Sequence, residues 1–250
     1  MQNYVGPESV KIKSMFSTVA AKYDRANNIL SVGIHHLWRK SLVEWSGARN
    51  GSAVLDCATG TGDLAIEFKK AVGHEGSVIG TDFCADMLTS APQKAAALRL
   101  DIKFETADVT ALPFADASFD VVSISFGIRN VQDPVKALRE MARVCKPGGR
   151  VMILEFGQPS IPVVREFYQF YSEKALPYLG GMITGNTSAY KYLQSSSARF
   201  PCGEEFLDLV RASGAYSTSE FRKFSFGVCF GYRLVAASFF GCSASEKGSS

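Results

Sequence analysis

The sequence predicts an α/β fold built on a parallel sheet, and two observations carry that prediction. Between Ser52 and Phe156, apolar runs at 53–57, 77–82, 102–106, 119–125 and 150–156 alternate with helical patterns at 62–72, 85–99 and 133–145. This alternation of period-two and period-3.6 segments builds parallel sheets joined by crossover helices. The second observation is Val54–Asp63, an apolar strand ending near a carboxylate, then a turn through Gly60 and Gly62, then an amphipathic helix. Glycines there let the backbone take positive φ and let a ligand approach closely, and the helix start adds a positive local field.

The elements follow in order. Residues 8–21 read as an amphipathic helix on Val10, Met15, Phe16 and Val19, and a second helical pattern covers about His35–Trp45. The helix at 62–72 is expected to bury Leu64, Phe68, Ala71 and Val72, and the one at 133–145 Val135, Leu138, Met141, Ala142 and Cys145. Pro92 should kink or shorten the helix at 85–99. Lys146-Pro147-Gly148-Gly149 should stop a helix and turn the chain. Beyond Phe156, aromatic residues from Phe167 to Tyr192 crowd a helical stretch broken by Pro177, Gly180, Gly181 and Gly185, which reads as a cap over an apolar pocket or as ordinary core. A helix is expected at 203–213, then a period-two strand or hairpin through Phe224–Leu234, then a Ser-rich disordered tail at 238–250. These boundaries describe one domain, 1–237, with N-terminal helices (8–46), a cofactor core (52–156), a cap insertion (about 160–200) and a C-terminal helix and hairpin (203–236).

A chain of 250 residues with 46% hydrophobic content can bury one large core. The net charge of +3, without a run of five basic residues, does not point to nucleic acid. No apolar run reaches the roughly 18 residues of a membrane span, and Met1–Lys13 is polar, so a cytoplasmic protein is expected. The six cysteines never approach C-x-x-C spacing, which favours free thiols, and no metal site follows.

Ligands of such sheets bind beyond the carboxyl ends of the strands, where this sequence places Asp56, Asp82, Asp108 and Ser125. Gly60-x-Gly62-x-x-Ala65 with Asp82 fits a permissive dinucleotide fingerprint. Asp56 and Asp63, however, flank the turn, and carboxylates repel a pyrophosphate while attracting a cation. S-adenosyl-L-methionine (AdoMet), with its sulfonium and amino-acid tail, suits them better. Asp82, with Phe83 beside it, is placed to accept both ribose hydroxyls, and Asp108 to meet the adenine amino group.

Three further stretches, Tyr23-Asp24 through Ser31–Arg39, Ser123–Val131 and Arg143–Phe156, together with Ala189–Pro201, resemble one family: the UbiE/MenG C-methyltransferases acting on demethylmenaquinone and on 2-polyprenyl-6-methoxy-benzoquinol. The chain departs from that pattern at Ala26, where relatives often have Met, and at His36, where Arg or Lys is common. The resemblance implies a Rossmann-like, seven-stranded class I AdoMet-dependent methyltransferase fold with N-terminal helices and a helical cap. It places AdoMet contacts on Thr61, Asp82, Asp108, Val109 and Ser125, alongside Asp56, Gly60, Gly62 and Phe83. It implies a lipid-tailed quinol substrate, demethylmenaquinol first and the benzoquinol as alternative, met by Tyr23, Trp38, Asn130 and Tyr190. His35, His36 or Asp24 would relay the phenolic proton and Arg129 would stabilise the oxyanion, with no metal required. Peripheral membrane contact through the aromatic cap is expected, no nucleic acid partner, and a homodimer is compatible. Three alternatives stay open: a methyltransferase for another phenol or sterol, an NAD-dependent oxidoreductase, and a non-catalytic AdoMet-binding subunit.

Overall fold

The computed structural model describes Tyr4 and residues 6–238. In chain order these form α1 (Ser9–Val19), α2 (Tyr23–Leu30), α3 (Ile34–Ser46), β1 (Ala53–Cys57), α4 (Asp63–Val72), β2 (Ser77–Asp82), α5 (Ala85–Leu88), α6 (Ala91–Ala97), β3 (Lys103–Thr106), β4 (Phe119–Ser125), α7 (Pro134–Val144), β5 (Cys145–Phe156), α8 (Pro162–Phe170), α9 (Leu176–Thr184), α10 (Thr187–Arg199), α11 (Glu204–Ser213), β6 (Tyr216–Phe224) and β7 (Cys229–Ala236). The strands make one seven-stranded sheet in the order β3-β2-β1-β4-β5-β7-β6. β1 to β5 run parallel, and β7 pairs antiparallel with both β5 and β6.

The central strands are apolar on both sides because both faces are covered. On one face Leu138, Met141, Phe206 and Val210 of α7 and α11 pack over Val122, Ile124, Ile153 and Tyr232. On the other, Trp38, Leu42 and Phe68 of α3 and α4 pack over Val54, Val121, Met152 and Leu154. Leu42 and Phe68 are wholly buried, and each contributes about 1.5–3 kcal/mol by leaving water. A third cluster joins Val19 and Ala26 of α1 and α2 to Ala189 and Tyr190 of α10, away from the sheet.

The structure modifies several expectations. The helix foreseen at 85–99 is two helices, and Pro92 sits in the first turn of α6, where its missing N–H costs nothing. A helix, α2, follows α1 directly through a single 3-10 turn. Lys146–Gly149 does not precede the strand but bulges out of it: Cys145 still pairs with Phe119, and the ladder resumes at Val121 and Arg150. The alternating stretch 224–234 is a hairpin, turned at Ser225, Phe226 and Gly227, all with positive φ. Ala71 faces solvent, while Lys69 is buried with its ammonium on the Gly76 carbonyl at 2.6 Å. Cys57, Cys84, Cys145, Cys202 and Cys229 are free thiols. Cys242 and the tail expectation, from residue 239 on, lie outside the described residues.

Candidate active site

The carboxyl ends of β1, β2 and β4 open onto a cavity of about 850 Å³, within the range of small-molecule sites. Gly60 turns the loop after β1 at φ +58°, and Ala58 before it also has positive φ. Gly127, after β4, would bring a Cβ to 2.6 Å from the Ala58 methyl, so the two loops meet closely at the cavity floor. α1 closes the opposite wall with Ile12, Lys13 and Phe16, and α2 adds Tyr23.

Asp82 ends β2 at the cavity wall. Its Oδ2 accepts the Gly60 N–H at 2.9 Å and its Oδ1 the Cys84 N–H at 2.8 Å. Burial lifts its carboxyl above the ordinary range although both N–H groups favour the ionised form. Each carboxylate oxygen keeps a further lone pair, so the group can also accept two hydroxyls. Asp108 holds Thr110 through its N–H (2.8 Å) and hydroxyl (2.9 Å), both on Oδ1. Gly60, Phe83, Asp108, Val109, Ser125, Tyr23 and Asn130 line the cavity with it. The Ser125 hydroxyl is buried there and has no hydrogen-bond partner. A buried donor left unpaired is costly, and a ligand in the cavity would satisfy it. An acid pair for ribose and amine, a glycine turn and this orphan hydroxyl together fit AdoMet.

Other expected residues lie elsewhere. Asp56 is fully buried beneath the loop, accepting the hydroxyls of Thr59 (2.6 Å) and Ser123 (2.7 Å), and burial pushes it up to about 6. It shapes the loop from below and does not face the cavity. Gly62, at φ +85°, packs against Ala91 and Phe104, and Thr61 turns its hydroxyl to Asp24. Asp24 is itself held by Lys94 at 2.7 Å and is off the wall. His35 is buried, paired with the Ser31 hydroxyl, and lowered to about 4 by burial and then by Arg39, which makes it a poor base at neutral pH. His36 is exposed and pairs with Asn28 at 2.7 Å. His35, His36 and Asp63 offer donor atoms close together, but Lys94 and Arg39 already occupy both oxygens of Asp63. Burial raises the Asp63 carboxyl, and these two cations outweigh it and hold it low. A cation there would be repelled by both.

Arg129 is the main correction. It is only 3% exposed, its guanidinium donates to the Phe126 carbonyl at 2.6 Å, and it is paired with buried Glu155. Its guanidinium is paired inside the protein and is not part of the cavity wall. Trp38 is core, its indole N–H donating to the Ser225 hydroxyl at 3.0 Å. Tyr190 packs its ring on Gly180 of α9. Conversely, Phe126 carries no sequence signal for the site: it lines the cavity at φ +56° and packs tilted against Phe156, ring centroids 4.5 Å apart. A strained non-glycine residue at a strand end is a known mark of functional sites, but positive φ is not written in the sequence.

Solved structures share this fold. A possible histamine N-methyltransferase from Thermotoga maritima, a SAM-dependent enzyme, is 20% identical, with a TM-score of 0.63 over 89% of this chain and 98% of its own. The [4+2]-cyclase SpnF reaches 0.65 at 16% identity over 93% and 97%. At such identities the likeness is one of fold alone. The ubiE/COQ5 methyltransferase family model matches residues 5–234. A ubiquinone/menaquinone biosynthesis C-methyltransferase UbiE from Bdellovibrio bacteriovorus is 63% identical over 93% of this chain and 98% of its own, and one from Roseobacter denitrificans 41% over 89% of each. Fold, family model and relatives define an AdoMet-dependent methyltransferase of class I. The chain belongs to the ubiE/COQ5 methyltransferase family.

Proposed function

We propose that the protein methylates a ring carbon of a reduced, lipid-tailed quinone precursor, demethylmenaquinol in the first reading. The 2-polyprenyl-6-methoxy-benzoquinol is the second, favoured by the double naming of the relatives. The observation that carries this is the 63% identity, over nearly the whole chain, to a ubiquinone/menaquinone biosynthesis C-methyltransferase. AdoMet supplies an electrophilic methyl group. In this reading Asp82 takes its ribose hydroxyls, Ser125 its nearest acceptor, and Phe83, Asp108 and Val109 the adenine.

The quinol hydroxyl must lose its proton, in this reading to water in the open cavity, for the neighbouring carbon to attack, and the methylated carbon then gives its own proton to water; a phenol ionises near pH 10 in water. With Arg129 neutralised by Glu155, we assign the oxyanion contact to Asn130. Tyr192 donates to Asn130 Oδ1 at 2.9 Å and one amide N–H makes a long bond to the Phe126 carbonyl at 3.5 Å, which fixes the amide and leaves its second N–H as a donor on the cavity wall. Asn130→Ala is expected to lower kcat/KM for the quinol by about 10²–10³, the usual effect of losing an oxyanion donor, with AdoMet affinity unchanged. A quinol kcat/KM at the wild-type level would remove that role. Labelled methyl transfer to the two quinols, side by side, tests the function. Tight AdoMet binding with no transfer to either would overturn it.

No helix among the described residues is long and apolar enough to cross a membrane. Peripheral contact is supported instead by α8, which buries none of its residues and exposes Val163, Phe167 and Phe170 along one side. Segments 8–46 and 160–200 hold ten of the lysines and arginines against five acids, while the rest of the chain has 17 against 19. An apolar face set in the basic part of the molecule suits an anionic lipid surface. In this reading the N-terminal helices, core, cap and hairpin act as one domain.

A further inference from the structure

Lys94 on α6 lies outside the cavity wall, and its ammonium reaches three segments at once. It is 2.7 Å from Asp24 Oδ2 on α2, 3.3 Å from the Thr61 hydroxyl in the glycine loop, and 2.5 Å from Asp63 Oδ1 at the start of α4. Thr61 in turn donates to Asp24 Oδ1, and Asp63 Oδ2 meets Arg39 of α3 at 3.2 Å. Two cations and two carboxylates thus balance within one cluster that joins α2 and α3 to the loop after β1.

The cavity gives this cluster its consequence. α1 and α2 form one wall of it, yet their apolar side packs on α9 and α10 and not on the sheet. At the cavity rim α1 touches the core through slight contacts, the Ser17 hydroxyl beside the Cys84 thiol at 3.4 Å and the Lys13 ammonium 5.4 Å above the Phe83 ring. Ahead of α1, Tyr4 donates to the Arg129 carbonyl and Gly6 to the Gln132 carbonyl, both at 2.9 Å on the loop after β4, whereas the charged cluster is the polar tie of α2 to the glycine loop itself. Networks of partly shielded charges contribute more than isolated surface pairs.

We propose that Lys94 is a positioning residue of the cofactor site. Through Asp24 it latches the N-terminal helices over the cavity, and through Thr61 it sets the glycine loop in the same step. Removing the lysine leaves two carboxylates facing each other across α2 and α4, so the tie between α2 and the glycine loop is reduced to the Thr61–Asp24 bond and the rim opens more often, while the packing on α9 and α10 and the sheet stay in place. The proposal depends on AdoMet as cofactor and not on the identity of the quinol.

The test uses the full chain with Lys94→Met, Asp24→Asn and the double variant. AdoMet affinity is measured by calorimetry, its release by stopped flow, and thermolysin cleavage within residues 9–30 in the ligand-free protein. Lys94→Met is expected to weaken AdoMet binding about fivefold or more, the scale of one such link, chiefly through faster release, and to speed cleavage. The double variant should be no weaker than the poorer single one, since both break the same tie. Raising salt should speed release from the wild type more than from Lys94→Met, which has lost the screened ion pairs of the latch. If Lys94→Met fails to fold, Asp24→Asn carries the same readouts. Release and cleavage within twofold of wild type in the single variants, or losses that multiply in the double one, would overturn the latch. No quinol enters these measurements, so a failed methylation assay leaves them standing.

Discussion

Asp82 joins two loops with one carboxylate, and in the proposed binding mode it also receives the ribose. Asp82→Ala removes the acceptors of the Gly60 and Cys84 N–H groups as well as those of the cofactor. AdoMet affinity should fall tenfold or more, about 1.4 kcal/mol or beyond, in a calorimetric titration; a change under twofold would refute the assignment. Asp56, beneath the same loop, makes a prediction about pH. Its folded pKa, about 6, lies above the ordinary 3.8 because burial disfavours the charge. The folded state therefore holds the proton more tightly than the unfolded one. The stability this contributes is full below the unfolded value and is lost as pH rises through the window up to about 6. Asp56→Asn, which cannot ionise, should gain melting temperature relative to wild type between pH 4 and 7. A constant difference across that range would mean that Asp56 is ionised at no cost. Arg129 shows where residue-level reading stops. A cation in a signature beside a strand end looks catalytic, but its partner Glu155 comes 26 residues later, and only the fold reveals that the two neutralise each other.

Elements were legible wherever local pattern and tertiary packing agree. The strands from Ala53 to Ser125 stand within a residue of their apolar runs: β1 and β4 are buried on both faces, while β3, at the sheet edge, buries no residue and is marked by its Phe104 alone. α2 carries no helical pattern in the sequence, since Tyr23–Leu30 is largely polar and only its Ala26 is buried. The bulge at Lys146–Gly149 looks like an ordinary turn in the sequence, because proline and glycine mark a break without saying whether the ladder resumes beyond it. α8 makes the prediction at this scale. With Phe167 72% and Phe170 66% exposed, Phe167→Glu with Phe170→Glu removes no buried contact and should leave the melting temperature within about 1 °C of wild type, as surface changes usually do. Flotation with anionic vesicles should drop severalfold. Equal flotation of wild type and variant, or none by either, would remove α8 as the contact.

At the scale of the molecule, the sheet order is one of the few that the crossover rules allow for five parallel strands, and the antiparallel β7 lies between β5 and β6. The cavity is another matter, because its two walls are contributed by segments far apart in sequence, the strand ends on one side and α1 with Tyr23 on the other. Lys94, 31 residues beyond Asp63 and 70 beyond Asp24, could not have been paired with either by spacing. A ligand that touches both walls must stabilise the folded chain as a unit. At 100 times its Kd, a ligand bound only by the native state adds about 2.7 kcal/mol, which for a chain of this size raises the melting temperature by about 5–10 °C. AdoMet should give that shift in a thermal melt, and NAD at equal concentration should give none. The reason is electrostatic: Asp82 and Asp108 face the cavity beside a loop whose N–H at Gly60 is already taken, so a pyrophosphate would meet carboxylates where it needs free donors. A shift with NAD equal to that with AdoMet would show that the acids at the strand ends do not choose the cofactor.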